Sequence, residues 1–452
     1  MSRGVLIAAP ASGSGKTVVT LGLLRHLRKT GHRVASIKVG PDFIDPAFHA
    51  VASGRPCVNL DTWAMRPHTL AAIAAGAGAG ADVIVGEGVM GLFDGVPGGA
   101  GSTADAARLT GWPVILVVDA KGMGASAAAL LKGFVEYLRE VAVVGVIFNR
   151  VGGARHAEIL RQAAAPLGLA VLGCLPRAPE LTLPHRHLGL VQAAEHPALE
   201  AFIDGAAALI AEHLDAERLI ALARPCRRWP ESAGAPPIPP LGQRIAVARD
   251  VAFAFAYPFV LDGWRAAGAE LSAFSPLADE APEPAADAVY LPGGYPELHA
   301  GRLAGSRRFL EGLRAAAARG AVVYGECGGY MVLGRGLIDG AGARHAMAGL
   351  LPLETTFTAP RLTLGYRRAS VLNGGPLGAA GAAFTGHEFH FAGLAEPADG
   401  TPLFACRDAG GADMGTAGLR AGTCLGSFLH LIDTADGPAT RAHSAAFCSS
   451  RA

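Results

Sequence analysis

A short apolar run at residues 5–8 leads without a break into Ala9-Pro10-Ala11-Ser12-Gly13-Ser14-Gly15-Lys16-Thr17, and a helical pattern follows over 17–29. Strand, glycine-rich loop and helix in that order bring backbone N–H groups and a helix N-terminus around one point, which makes a cradle for phosphate oxygens. Ser12, Gly13, Ser14 and Gly15 would line the cradle, Lys16 would meet the terminal phosphates of a nucleotide, and Thr17 would face a magnesium ion. Pro10 stands where the common G-x-x-x-x-G-K-[ST] pattern has its first glycine, so the strand-loop-helix context carries the reading.

Such a loop demands a parallel sheet, and the rest of the first half supplies one. Apolar runs at 34–37, 83–85, 114–118 and 143–147 alternate with helical patterns, of which those over 17–29, 124–139 and 155–166 are clearest. Strands that are apolar throughout belong to sheets covered on both faces. The chain has 452 residues, and single cores stop growing at about 250–300 residues, so two domains are expected. Residues 225–240, PCRRWPESAGAPPIPP, suit a linker, because proline fixes its own dihedral and lacks a donor. The predicted division is a first domain at 1–224, a linker at 225–242 and a second domain at 243–440. Strand and helix alternation restarts at 244–248, 288–291 and 321–324, then gives way to Thr-rich and aromatic segments around 353–390. The expected class is α/β, with two doubly wound domains.

Composition excludes several functions. A formal net charge of +1, with no run of like charges, gives no field to attract nucleic acid. No stretch reaches the ~18–20 apolar residues of a membrane span, so a soluble protein is expected. The seven cysteines are scattered and never form a CxxC pair, which argues against both a disulfide framework and a zinc site and for a reducing cytoplasm. Six of them read as small buried hydrophobes.

Acidic residues fall where the strands end. The second strand runs into Lys38-Val39-Gly40-Pro41-Asp42-Phe43-Ile44-Asp45, and the next into Glu87-Gly88-Val89-Met90-Gly91-Leu92-Phe93-Asp94. Ligands of open parallel sheets bind at the carboxyl ends of strands, so Lys38, Asp42, Asp45, Glu87 and Asp94 should converge on the phosphates. Thr17, Asp42 and Glu87 are the expected magnesium residues, and a substrate carboxylate could accept the phosphoryl group. His49 reads as a local structural group. Asn149 follows the fifth strand, where its amide could either read a purine edge or simply form a turn.

In the second half, AVVYGECGGYMVLG at 321–334 combines an apolar strand, a sharp glycine-flanked turn and a helix start. Such an elbow displays one reactive group, here Cys327, and a helix N-terminus beneath it favours the thiolate. Gly294, in a Gly pair after another strand, and Gly328 could present amides to a developing oxyanion. His430 is the best-placed base, with His387 and His390 as competitors. The H-E-x-H spacing of those two suggests a metal only on a helix, and the neighbouring Gly386, Phe389 and Phe391 suggest a strand.

With these residues in view, the whole chain resembles the cobyrinic and hydrogenobyrinic acid a,c-diamide synthases of cobalamin biosynthesis. The matching segments are ASGSGKT at 11–17, KVGPDFIDPAFH at 38–49, GEGVMGLFDG at 86–95, LPGGYPE at 291–297, GECGGYM at 325–331 and SFLH at 427–430. The resemblance implies a dethiobiotin-synthetase-like P-loop domain joined to a class I glutamine amidotransferase domain. It implies ATP, glutamine and Mg²⁺ acting on a corrin, with two peripheral carboxylates amidated through acyl phosphates. It also implies a Cys327–His430 dyad, because Ile432 breaks the usual His-x-Glu pattern. The cobalt-free hydrogenobyrinic acid is the preferred corrin and cobalt-containing cobyrinic acid the alternative. A cobyric acid synthase and a regulatory P-loop ATPase are more distant alternatives. A homodimer is the assembly to test.

Overall fold

The computed structural model describes residues 3–182, 185–186, 189–227 and 236–435. Part of the expected linker, residues 436–440 and Cys448 lie outside them. Contacts divide the chain into two units, Met1–Trp63 with Leu70–Ser232, and Ala64–Thr69 with Ala233–Ala452.

The first unit is a parallel sheet of β1 (Arg3–Ala8), β2 (Val34–Val39), β3 (Val58–Leu60), β4 (Val83–Glu87), β5 (Val114–Asp119), β6 (Val143–Val151) and β7 (Ala170–Pro176). They lie side by side in the order β3-β2-β4-β1-β5-β6-β7. β2 and β4 are buried along their full length, as the apolar runs required. The order reverses beside β1, so the loops after β1, β2 and β4 meet at one end of the sheet. Helix α1 (Lys16–Lys29) starts directly at the glycine loop, and α2 (Asp45–Ser53) follows the Asp42 segment.

In the second unit, β8 (Arg244–Ala248), β9 (Glu270–Phe274), β10 (Ala288–Leu291) and β11 (Val322–Glu326) pair in parallel. The Thr-rich and aromatic part of the sequence continues the same sheet with antiparallel strands: β12 (Thr363–Val371), β13 (Ala383–His390), β14 (Thr401–Asp408) and β15 (Asp413–Ala421). β16 (Cys424–Ser427) returns parallel to β11, and β17 (Leu429–Thr434) pairs antiparallel with β13. The second domain is therefore a mixed, curled sheet rather than a purely parallel one, because antiparallel strands can follow one another through short turns.

The two ends of the proline-rich stretch are packed rather than free. Arg224 and Pro225 pair with β1, while Ile238 and Leu241 are buried and the Trp264 indole donates to Ile238 O at 3.0 Å. Among the expected buried cysteines, Cys57, Cys406 and Cys424 are buried, whereas Cys174 and Cys226 are only partly so. No described helix is long and apolar enough to cross a membrane.

Segment Ala64–Thr69 belongs to the second unit although it lies far earlier in the chain. Its anchor is Arg66, whose amide and Nε each donate to the fully buried Asp433 carboxylate at 2.8 Å. Removing one partner of a buried ion pair strands the other. Asp433→Ala is therefore expected to cost about 3–5 kcal/mol of stability, read as a fall in the denaturation midpoint. A cost under about 1 kcal/mol, the range of an exposed pair, would show the anchor to be dispensable.

Candidate functional site

The glycine loop is shaped by its glycines. Gly13 and Gly15 have φ of 79° and 94°, values that an L side chain rarely adopts. A Cβ on Gly15 would also stand 2.2 Å from Asn149 Nδ2. That amide donates to Ser14 O at 3.0 Å, and its Oδ1 accepts from the Arg150 amide at 2.9 Å. Asn149 thus braces both the loop and the turn after β6, at the strand end where the sequence offered either a purine contact or a turn. Ser14 Oγ donates to Ala11 O, closing the loop, while Ser12 is exposed at its mouth. An open groove of about 590 Å³, lined by Gly122, Met123, Gly152, Gly153 and His156, lies beyond the ends of β5 and β6.

Lys16, the first residue of α1, is buried, and its Nζ donates to Met90 O at 2.6 Å. Burial lowers its pKa, and the Glu87 charge partly offsets this. Thr17 Oγ1 donates to Glu87 Oε1 at 2.7 Å and stands 3.5 Å from Asp45 Oδ2. Lys38 Nζ sits between the same two carboxylates, 2.5 Å from Asp45 and 3.0 Å from Glu87. Burial opposes the Lys38 charge, but attraction from Asp45, Glu87 and Asp42 outweighs it and raises the pKa. Burial pushes Asp45 up to about 7.

The expected set therefore converges, with one change of partner. Asp42 accepts from the amides of Ile44 and Asp45 in the turn ahead of α2, and the aspartate beside Thr17 is Asp45. A carboxylate two or three residues ahead of a helix is drawn to the first amides of that helix, which a pattern of acidic residues alone cannot reveal. Asp94 accepts from Gly91 N at 2.8 Å and braces its own loop.

His49 is fully buried and its Nε2 lies 2.6 Å from Glu87 Oε2. Burial would lower its pKa, yet hydrogen bonds with Cys57 and Glu87 raise it to about 10. Glu87 shows the mirror effect: burial alone would raise its pKa, but Lys38 and His49 hold it well below the usual carboxylate range. The spacing of His49 on α2, one turn beyond Asp45, was the available signal for this partnership.

In the second unit, Cys327 has φ of 46° and ψ of −105°, the strained turn expected of a displayed nucleophile. Its amide donates to Ser427 O at 2.8 Å, and Gly328 and Gly329 open helix α3 (Gly328–Leu333) beneath it. A Cβ on Gly329 would stand 2.0 Å from Leu291 O, so only glycine allows this close approach. The Cβ position of Gly328 lies 3.1 Å from Gly294 N, which brings the two proposed oxyanion residues together.

His430, on β17, is adjacent. A Cβ on Gly293 would meet His430 Cε1 at 2.3 Å and Cys327 Cβ at 3.2 Å, so the two side chains share one space. The competing histidines are otherwise placed on strand β13. His387 stacks on His430 with ring centroids 5.0 Å apart and has Tyr257 OH 2.8 Å from its Nε2. His390 stacks on Phe428 and lines, with Cys327, Glu297 and Phe389, a small, partly open cavity of about 20 Å³, room for roughly one water. Burial pushes the Cys327 thiol up, with Glu297 adding to it, and pushes His430 down. Both shifts favour the uncharged forms of the pair.

A sheet end carrying a phosphate loop over buried carboxylates, followed by a cysteine elbow beside a histidine, defines a nucleotide-dependent glutamine amidotransferase. Residues 5–191 match the CobQ/CobB/MinD/ParA nucleotide binding domain and residues 244–437 the CobB/CobQ-like glutamine amidotransferase domain. Hydrogenobyrinate a,c-diamide synthase of Brucella abortus is 55% identical over 95% of this chain and 98% of its own length. The proteins of that name from a Sinorhizobium species and from Rhodobacter capsulatus are 54% and 52% identical over 96% and 95% of this chain, and 99% and 98% of their own lengths. The chain belongs to the hydrogenobyrinate a,c-diamide synthase family.

Two outcomes follow from the phosphate side. Gly15→Ala should weaken ATP binding at least tenfold by calorimetry, since its Cβ strikes the Asn149 amide at a φ no alanine favours; unchanged affinity would mean that the loop is not the nucleotide seat. His49, with its pKa raised from 6.5 to about 10, contributes stability in full below pH 6.5 and loses it as pH climbs through about 10. Chemical denaturation of His49→Gln should therefore show less loss of stability between neutral pH and pH 10 than the unaltered protein, and equal slopes would disprove the pairing.

Proposed function

We propose that this chain amidates the a and c carboxylates of hydrogenobyrinate, using ATP to activate each one and glutamine to supply ammonia. The observation that carries the reading is the pairing, on one chain, of the Lys16–Lys38–Asp45–Glu87 cluster at a phosphate loop with the Cys327 elbow.

At the first site a substrate carboxylate oxygen attacks the γ-phosphorus, and ADP leaves. Lys16 and Lys38 neutralise the charge on the transferring group, which is most of what phosphoryl transfer asks of a protein. The product is an acyl phosphate. Ammonia attacks its carbonyl carbon, loses a proton and expels inorganic phosphate, leaving the carboxamide. Thr17 Oγ1, 2.7 Å from Glu87 and 3.5 Å from Asp45, offers with those carboxylates the hard oxygen set that suits Mg²⁺. When bound, Mg²⁺ supplies charge neutralisation between phosphate oxygens. The groove beside Gly122 and Gly152 is of a size to take a nucleoside.

At the second site the Cys327 thiol passes its proton to His430 as sulfur attacks the glutamine carboxamide. The tetrahedral oxyanion is met by the amides of Gly294 and Gly328, and His430 returns the proton to departing ammonia. Water then hydrolyses the thioester to glutamate.

The test is mass spectrometry of corrin incubated with Mg-ATP and glutamine, using hydrogenobyrinate and cobalt-containing cobyrinate in parallel. Two OH-to-NH₂ exchanges on hydrogenobyrinate are expected; amidation of cobyrinate alone would move the assignment to the cobalt-containing substrate. ATP hydrolysis with no mass change on either would overturn the corrin reading. Cys327→Ala is expected to abolish amidation with glutamine and keep it with ammonium salts.

A further inference from the structure

Position 432, where an ordinary triad places its carboxylate, is a fully buried isoleucine. A different carboxylate stands beside the histidine. Glu326, the last residue of β11 and the immediate neighbour of the nucleophile in sequence, is buried, and its Oε2 lies 4.0 Å from His430 Nδ1. Three donors fix it. Tyr290 OH donates to Oε2 at 2.9 Å, Tyr324 OH to Oε1 at 2.9 Å, and the Leu431 amide to Oε1 at 3.2 Å. Leu431 follows His430 directly, so one carboxylate both holds the backbone of the histidine's strand and faces its ring.

Resting on the glutaminase reading of Cys327 and His430, we infer that Glu326 is the positioning carboxylate for His430, replacing from the nucleophile's own strand the residue that the histidine's strand lacks.

The donor count supports an ionised acceptor. A carboxylate has about four lone-pair sites, and the three donors leave one on Oε2, the oxygen nearest the imidazole. The separation of 4.0 Å is an ion-pair distance and not a hydrogen bond. Catalytic contacts are commonly long before substrate arrives and tighten in the reacting complex. The sequence of events then balances. The Cys327 proton moves to His430 Nε2, the ring becomes imidazolium, and its Nδ1–H faces Glu326, which stays ionised as the carboxylate of a triad does. When ammonia leaves with the Nε2 proton, the ring is neutral again.

The charge environment agrees. Burial pushes Glu326 up to about 7, with Tyr290, Leu431 and Tyr324 pulling the other way. Burial, with His387 and His390 adding to it, lowers His430. The groups facing Glu326 are thus two phenols, one amide and His430, with His387 stacked behind the imidazole. No described cation competes for it.

The experiment measures glutamate release by the full chain, with ammonia-dependent corrin amidation and the denaturation midpoint as checks of folding. Glu326→Gln should lower kcat for glutamine hydrolysis by about 10²–10⁴, the scale seen when a triad carboxylate becomes an amide. The KM for glutamine should stay within a few-fold, and the rise in rate across pH 7 should disappear. Glu326→Asp should recover part of the kcat. A Glu326→Gln protein that folds, amidates with ammonia and hydrolyses glutamine at the original rate would overturn the assignment. If Glu326→Gln fails to fold, Tyr290→Phe removes the donor on Oε2 and should move the rise to higher pH, whereas an unmoved profile would again overturn it. Absence of glutamine hydrolysis in the unaltered protein would instead defeat the glutaminase reading itself.

Discussion

Glu87 is fully buried at the end of β4, and a carboxylate taken out of water must be compensated or protonated. Three groups from three other elements meet it: Thr17 from α1, Lys38 from β2 and His49 from α2. Each contact joins parts of the chain well separated in sequence, so this one charge ties the phosphate loop, the central sheet and the Asp45 helix together. The same contacts fix Thr17 and Lys38 beside the glycine loop. The cluster thus organises the sheet end and prepares its chemistry at once.

The second unit solves a different problem. Cys327 sits in a strained backbone turn beside a small, partly open cavity, where burial raises the thiol's pKa and lowers that of His430. Strain of this kind persists only where the surroundings dictate it. Here they do: Ser427 O holds the Cys327 amide, and glycines at 293, 294, 328 and 329 let strands approach where any Cβ would collide. The first site gathers compensated charges around Glu87, whereas burial in the second favours the uncharged forms of Cys327 and His430.

Much of this was legible because it is local. The loop at 12–17 and the elbow at 325–329 carry their conformation in their own glycines, and the apolar runs announced the parallel strands on both sides of the linker. Asp42 and Asp45 both lie at the strand end as expected, but that Asp45 rather than Asp42 is the closer partner of Thr17 and Lys38 depends on how the chain turns into α2. Asn149 lies at the expected strand end, and its bonds with Ser14 and Arg150 tie that end to the loop. The short anchor at Arg66 left no signal, because its partner Asp433 is 367 residues away.

The sequence alone determined what depends on neighbours along the chain: the phosphate loop, the nucleophile's turn, the alternation of strands and helices, and the family to which those motifs point. The tertiary structure decided which side chains share a charge. Pairing Lys38 with Asp45 and Glu87, His49 with Glu87, and Glu326 with the strand of His430 needs strands brought side by side in a given order and register. Electrostatic partnership depends on distance and burial, and neither is a property of sequence spacing.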